Sequence, residues 1–430
     1  MFKRDKARYS EKKTIKNERD VISYEDMPLD DYEQEKTEIS PEAIKRILIG
    51  VGVAIVAGLI VFAFSNRDKL TWDNISTWWT YDVLGNAGNG FPVNIVGSEV
   101  AASNLSVTQG RVAYASDTSF VTLNSTGSEV ANIQLRYSTP VMKSSGNKYL
   151  TYGLGSTGFQ IQSFDEKLYT GEESENILTG DIASNGVYCL VTEGNGYLSS
   201  LYVYNKNNNR IFKYSFSEYY ITSVALNSDG SGGVACGITS DGGAVSSAVY
   251  LLDFSKEEPK SVYTISGDSV IDCKYLGDSR VALIGQSASY IIKNGDENYI
   301  TNSYEDRTLA NYCFNTDTQT YTIALSRSGD GRSCALLQYN SNGDNKCSID
   351  TEYSAESISS YKGVIGILDD NIVYVYSMDG TQRYAYNVGT GSKKVILTGE
   401  SEACVLSANQ IRRFDLNKTS TADTAINSEN

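Results

Sequence analysis

The 430-residue sequence contains no histidine. That absence excludes Ser-His-Asp and Cys-His catalytic sets and every histidine-ligated metal or haem site. Its seven cysteines are an odd number and form no CxxC pair, so zinc-ribbon and thioredoxin-like chemistry lack their residues. Proline is scarce, five in all, and tryptophan scarcer still, three. Basic charge is in deficit: 37 Lys and Arg face 52 Asp and Glu, a formal net charge of -15. Such a balance argues against nucleic acid or another polyanion as partner. After residue 90 no long run with 3.6-residue periodicity occurs, which argues against a helical fold.

What is present begins with one apolar run, residues 47–64, ILIGVGVAIVAGLIVFAF, with no charge in it. Lys45 and Arg46 close it on one side, Arg67 and Lys69 on the other. As a helix it spans roughly 27 Å, close to the roughly 30 Å of a bilayer's hydrocarbon core. The run predicts a single-pass transmembrane helix. Forty-six residues precede it, too many for the n-region of a signal peptide, and no small-x-small cleavage site follows. Eleven Lys and Arg among those residues place the N-terminus in the cytoplasm and the long remainder outside it.

Gly50, Ala54 and Gly58 recur at steps of four along this helix. Such a ridge lets two helices approach closely and makes a candidate homodimer face; equally, small residues are common in membrane helices. Trp72, Trp78 and Trp79 follow the span, within the segment 65–90. Read as helix, Trp72, Ile75 and Trp79 share a face, suiting an anchor in the headgroup layer. The competing reading packs these rings beneath the following domain as a plug.

The tail 1–46 is split by charge. Residues 3–19 hold eight Lys and Arg against three acids, and residues 20–42 hold nine acids against Lys36 alone. With few apolar groups to bury, it reads as largely disordered, as do residues 418–430.

From residue 91 to 417 short apolar strands alternate with DG, NG, SG and GN turns. Similar runs start at RVAYA (111), KYLTYG (148), GVYCLV (186), GVACGI (233), RVALIG (280), TYTIAL (320), GVIGIL (363) and EACVL (402). Each is followed by a turn and a second strand, from SFVTL (119) to QIRRFDL (410), with weaker strands on either side. Four antiparallel strands in about forty residues is the spacing of a propeller blade. The final unit stops after its third strand, whereas FPVNIVG at 91–97 stands unassigned before the first unit. If that strand completes the last blade, the ring closes by pairing its two ends. The expectation is an all-β, eight-bladed β-propeller, with seven blades as the alternative.

Segments such as IVYVYSMDGTQRYAYNVG (372–389) resemble tryptophan-aspartate (WD40) and quinoprotein-like propeller repeats. The layout of charged tail, single span, Trp-bearing linker and repeats also resembles an uncharacterised family of membrane-anchored propellers from clostridia-type bacteria. That family is defined only as a domain of unknown function. The resemblance implies a fold and a location. The blades lack the Trp-Asp dipeptide and Gly-His pair of the first family, and no quinone-binding motif is present.

Smaller motifs reduce to turns. Gly153, Gly155 and Gly158 match GxGxxG, but a strand follows them where a dinucleotide site needs a helix. Asp229-Gly230, Asp241-Gly242, Asp330-Gly331 and Asn342-Gly343 lack the ligand pattern of a calcium loop and suit hairpin turns. Cys189, Cys236 and Cys404 take equivalent places in their units, and Cys273 and Cys313 likewise. Blades stack roughly 10 Å apart, beyond the reach of a disulfide, so all read as buried free thiols. No cofactor or metal is expected, and no catalytic residue is nominated. The leading functional expectation is an extracytoplasmic module that binds a protein or cell-envelope component. The alternatives are a polysaccharide-processing enzyme using carboxylates in the channel, and a sensor coupling outer binding to the cytoplasmic tail.

Overall fold

A computed structural model of the protein describes residues 41–65, 72–326 and 331–418. The tail segments 1–40 and 419–430, read from sequence as disordered, lie outside the described residues. The chain divides into two units, Met1–Ser65 and Asn66–Asn430.

The first unit contains helix α1, Pro41–Ser65, which includes the 47–64 run. Its apolar side chains point in every direction: Ile49, Val51, Val53, Ile55, Val56, Leu59, Ile60 and Val61 are each 51% to 65% exposed. A Cβ added at Gly50 or Gly58 would meet nothing within 4 Å. Among the described residues no helix is long and apolar enough to cross a membrane. Within the 47–64 run the side chains of residues 47, 48 and 62–64 are not among those described.

In the second unit, eight four-stranded antiparallel sheets follow one another as blades. Their spans are 100–134, 140–172, 177–216, 220–266, 270–303, 308–351, 357–387 and 392–415, numbered here blades 1 to 8. Within blades 1 to 7 the strands run A to D in chain order. The A strands are Val100–Thr108, Pro140–Ser145, Ile177–Ile182, Tyr220–Leu226, Val270–Tyr275, Thr308–Asn315, Ser357–Tyr361 and Ser392–Leu397. They lie next to one another around the axis.

Blade 8 has only three strands of its own, and Val93–Asn94 supplies the fourth. Val93 pairs with Ile411 and Asn94 with Gln410, and the Ile95 amide donates to the Asn409 carbonyl at 3.0 Å. The expected closure by the two chain ends is therefore what is found, and the ring has eight blades rather than seven.

Burial explains why the B strands are the clearest signal in the sequence. Arg111–Ser116 and Val364–Asp369 are covered on both faces by neighbouring blades and read as continuous apolar runs. The outer strands alternate, as in Asn345–Thr351, because one face meets solvent. Each hydrophobic cluster spans two adjacent blades. Val112, Tyr114 and Val121 of blade 1 pack with Cys404, Leu406 and Ile411 of blade 8, so the closing seam is a core like the others. Where blades press together at their turns, glycine is required. Gly230 has φ +67°, and a Cβ there would stand 2.6 Å from Val187 Cβ of blade 3.

Candidate functional site

Three places in the propeller unit bring together side chains with chemistry: the axis, the surface where the linker docks, and one loop-bearing face.

At the axis, polar side chains of the A strands join each blade to the next. Asn104 Nδ2 donates to the Pro140 carbonyl (2.7 Å), and its Oδ1 accepts the Met142 amide (3.0 Å). Ser357 and Ser359 hydroxyls accept the Val395 and Leu397 amides. Across blades 2 to 6 these links become a charged network. Asp181 Oδ2 accepts the Leu226 amide at 2.9 Å and lies 3.6 Å from Lys274 Nζ. Asp272 Oδ1 accepts from the Ser223 hydroxyl (2.9 Å) and the Cys273 amide (2.8 Å), while its Oδ2 accepts from Tyr312 OH at 3.0 Å. Burial pulls the Lys143 pKa down, and Asp272, Tyr152 and Asp181 more than offset it, so the ammonium is held charged above the ordinary lysine value.

Lys394 of blade 8 presents the opposite case. Burial lowers its pKa, with only the Cys313 thiol opposing the shift. Cys313 in turn donates to the Ser360 hydroxyl at 3.8 Å. The axis therefore holds a compensated lysine, Lys143, and an uncompensated one, Lys394.

The linker docks where the A–B and C–D loops emerge. Helix α2, Trp72–Trp78, passes into a π-helical turn at Trp79–Val83. Trp72, Ile75 and Trp79, which helical spacing places together, are all exposed. Trp72 is 81% exposed, Trp78 48% and Trp79 53%, and the last two meet edge to face at 6.2 Å. These rings do not form a plug. The residues that dock are Tyr81 and Asp82. Tyr81 OH donates to Asp165 Oδ2 (3.0 Å) and its ring packs on Phe164. Burial, then the bond to Asp165, pushes the Tyr81 pKa to about 12. Asp82 Oδ1 accepts the Ser125 amide at 2.8 Å, and Asn124 Nδ2 donates to the Tyr81 and Asn86 carbonyls. Asn147 Nδ2 donates to Asn74 Oδ1 at 2.6 Å.

On the same face, blades 2 and 3 enclose a cavity of about 180 Å³ lined by Lys148, Ile161, Leu168, Asn185, Lys206 and Asn208. That is below the ~300 Å³ at which ordinary small-molecule sites begin. Among the described residues no group of three or more Cys, Asp or Glu is arranged to hold a metal ion.

The opposite face carries the B–C loops and the connections from each D strand to the next A strand. In blades 2 to 5 these loops expose Leu154 and Tyr197, and the strand ends beside them expose Tyr220, Val245 and Ile271. The Gly153–Gly158 segment is a turn between two strands, as its strand-turn-strand context predicts.

The cysteines are all free, and Cys313 is the one not fully buried. Cys236 and Cys273, from non-equivalent strands of blades 4 and 5, lie in one hydrophobic cluster, and burial raises the Cys236 pKa well above its usual value.

Of the residues singled out from sequence, Gly50, Ala54 and Gly58 lie on α1, and the three tryptophans lie on the linker. Neither set belongs to the axial network. Lys143, Asp181, Asp272, Lys274 and Lys394 were missed, although a signal existed. Each is a charge inside the strand preceding a buried run, as in VMKSS, TGDI, IDCKY and KKVIL.

Residues 94–416 match a family of unknown function, DUF5711. No curated protein matches the chain. Among solved structures it is similar to the Cps50 (Swd1) β-propeller domain of Myceliophteria thermophila, at 6% identity and TM-score 0.46, over 76% of this chain and 99% of that one. It is also similar to the C-terminal WD40 domain of Sif2, at 14% identity and TM-score 0.47, over 63% and 78% of the two chains. A third is KlHsv2 with its loop 6CD replaced by a Gly-Ser linker, at 11% identity and TM-score 0.46, over 66% and 95%.

Proposed function

The chain belongs to the DUF5711 family, whose function is unknown, and from that premise we propose that it is a binding or scaffolding module, tethered by α1 to a membrane and acting outside the cytoplasm on a protein or cell-envelope component. The observation that carries the binding reading is the state of the axis. Lys143, Asp181, Asp272, Lys274 and Tyr312 occupy it with mutually satisfied charges. Polysaccharide cleavage by two channel carboxylates would require Asp181 and Asp272 to be released from those bonds first. What remains for a ligand is the broad, rigid surface of the two loop faces.

Two observations support the tether. A helix apolar on all sides is suited to a lipid surround rather than to the rim of a soluble fold, and α1 exposes its apolar side chains all round. Trp72, Trp78 and Trp79 then present exposed amphipathic rings beside it in sequence, suited to a headgroup layer. Gly50, Ala54 and Gly58 give α1 an open flank for a second copy.

The deciding experiment is a pull-down from solubilised membranes with the full chain as bait, beside an assay for turnover of cell-wall glycan. A stoichiometric protein or wall component in the eluate supports the module. Silence there, together with glycan turnover, reverses the reading. A C-terminal epitope digestible by protease in right-side-out vesicles supports the location, and protection of that epitope refutes it. Crosslinking through cysteine at Ala54 or Gly58 tests the dimer, which monomer-only behaviour excludes.

A further inference from the structure

The face opposite the linker combines exposed apolar side chains with unpaired acids. Leu154, Tyr197, Tyr220, Val245 and Ile271 are each 38% to 56% exposed there. Hydrogen bonds between blades set them side by side. The Ser156 carbonyl accepts the Ile177 amide at 2.8 Å, which lays the Leu154 turn against the start of blade 3. Ser199 Oγ accepts the Ile221 amide at 3.1 Å, bringing the Tyr197 loop of blade 3 against Tyr220 of blade 4. The Val245 carbonyl accepts the Gly267 amide, and Ser247 Oγ the Val270 amide, both at 2.9 Å, so Val245 stands beside Ile271.

Around this apolar arc lie Glu172, Glu175, Glu193 and Glu218. None forms an ion pair with a described residue; Glu193 accepts only the Asn176 side-chain amide. The basic residues in the loops of this face across blades 2 to 5 are Arg136 and Arg307, and Arg307 lies 3.7 Å from Glu305 of its own loop. The opposite face differs, since Lys148, Lys167, Lys206, Arg210, Lys256 and Lys260 mix with its acids. The excess negative charge is therefore local.

We infer that the arc over blades 2 to 5 is a docking surface for a cationic protein segment carrying aromatic or aliphatic side chains between its lysines and arginines. The inference rests on the binding-module reading and names its partner class. Carboxylates at the rim steer a cationic segment and reject acidic ones, while the two tyrosines and the aliphatic groups supply area that is withdrawn from water on contact. An oligocation without apolar residues satisfies only half of the surface, and so does a neutral apolar segment.

The test uses the full-length protein in detergent and a fluorescein-labelled peptide alternating Lys with Leu and Tyr, read by anisotropy. The controls are the same peptide with Glu for Lys, and oligolysine. Tyr197→Ala/Tyr220→Ala and Glu193→Gln/Glu218→Gln each weaken binding about tenfold, whereas Glu257→Gln/Glu258→Gln on the opposite face leaves it unchanged. Raising salt from about 0.05 to 0.5 M weakens it by a similar factor, because rim charges are screened. Equal thermal midpoints across the variants show that the surface alone was altered. The inference is overturned if all three peptides bind alike, or if the opposite-face variant loses as much as the arc variants. It is also overturned if a partner is recovered in the pull-down yet the arc variants retain it in full. In that last case the module reading survives and only the docking site is wrong.

Discussion

Asp82 Oδ2 lies 3.9 Å from Arg111 Nε, joining the linker to the first B strand in a site where the two side chains are 6% and 2% exposed. The guanidinium also covers the Phe164 ring at 5.1 Å and donates to Gln109 Oε1 at 2.9 Å. Neither Arg111 Nε nor Asp82 Oδ2 makes a hydrogen bond, so the pair is held by charge alone. Burial lowers the Arg111 pKa, with Tyr149 and Asp82 opposing the shift.

Breaking that pair leaves one buried charge uncompensated. Asp82→Asn or Arg111→Met should each destabilise the propeller by about 3 to 5 kcal/mol. Replacing both with apolar residues, Asp82→Leu with Arg111→Met, should recover most of the loss. Denaturant unfolding of the four proteins reads the cycle. Additive losses in the double variant would show that the two residues do not act as a pair.

The closing seam makes a second prediction. Ile411 is fully buried between blades 8 and 1, opposite Val93. Ile411→Ala should cost about 2 to 5 kcal/mol, the range for a buried aliphatic truncation. Ile300→Ala, on the exposed outer strand of blade 5, should change stability by less than about 0.5 kcal/mol. Comparable urea midpoints for the two variants would contradict closure by the chain ends.

Lys143 and Lys394, both at the axis, should respond to pH in opposite senses. Lys143 has its folded pKa raised, so its contribution is fully present below the unfolded lysine value and fades as pH rises through the folded one. Lys143→Met should therefore destabilise at neutral pH and lose that effect in strong alkali. Lys394 has its folded pKa lowered by burial, so keeping it charged opposes folding at neutral pH. Lys394→Met should raise the unfolding midpoint at pH 7, with the gain shrinking as pH climbs through the depressed pKa. Parallel pH profiles for the two variants would refute the assignment.

Thiol chemistry gives the fourth. Burial raises the pKa of Cys189 and Cys236 well above the usual value and pushes Cys404 up to about 12. Thiolate is the reactive form, so at pH 8 these groups should be silent toward an alkylating reagent in the native protein. Cys313, the least buried, should react first and slowly, because burial raises its pKa too. All seven should react in urea. Rapid native labelling of Cys236 would show that blades 4 and 5 do not pack as described.

The blades were legible because their signal is local. RVALIG at 280 and TYTIAL at 320 mark B strands that are buried on both faces, and burial on both faces writes an apolar run into any sequence. The missing fourth strand of the last unit, set beside the spare strand at 91–97, even announced the closure. The docking of the linker was not legible. Tyr81 reaches Asp165 and Asp82 reaches Arg111 from beyond a π-helical turn at Trp79–Val83. Those contacts span 84 and 29 positions, and no nearby residue signals them.

Period and burial alone thus determined the all-β ring and its method of closure, since each blade repeats the same alternation of covered and wet surfaces. The choice of eight blades over seven came from the strand pairing. Tertiary structure decided which charges meet. Asp181 and Lys274 belong to blades 3 and 5, and Asp272 and Tyr312 to blades 5 and 6. Whether such residues compensate one another depends on the curvature of the ring and the reach of a side chain across its axis, quantities that no local pattern encodes.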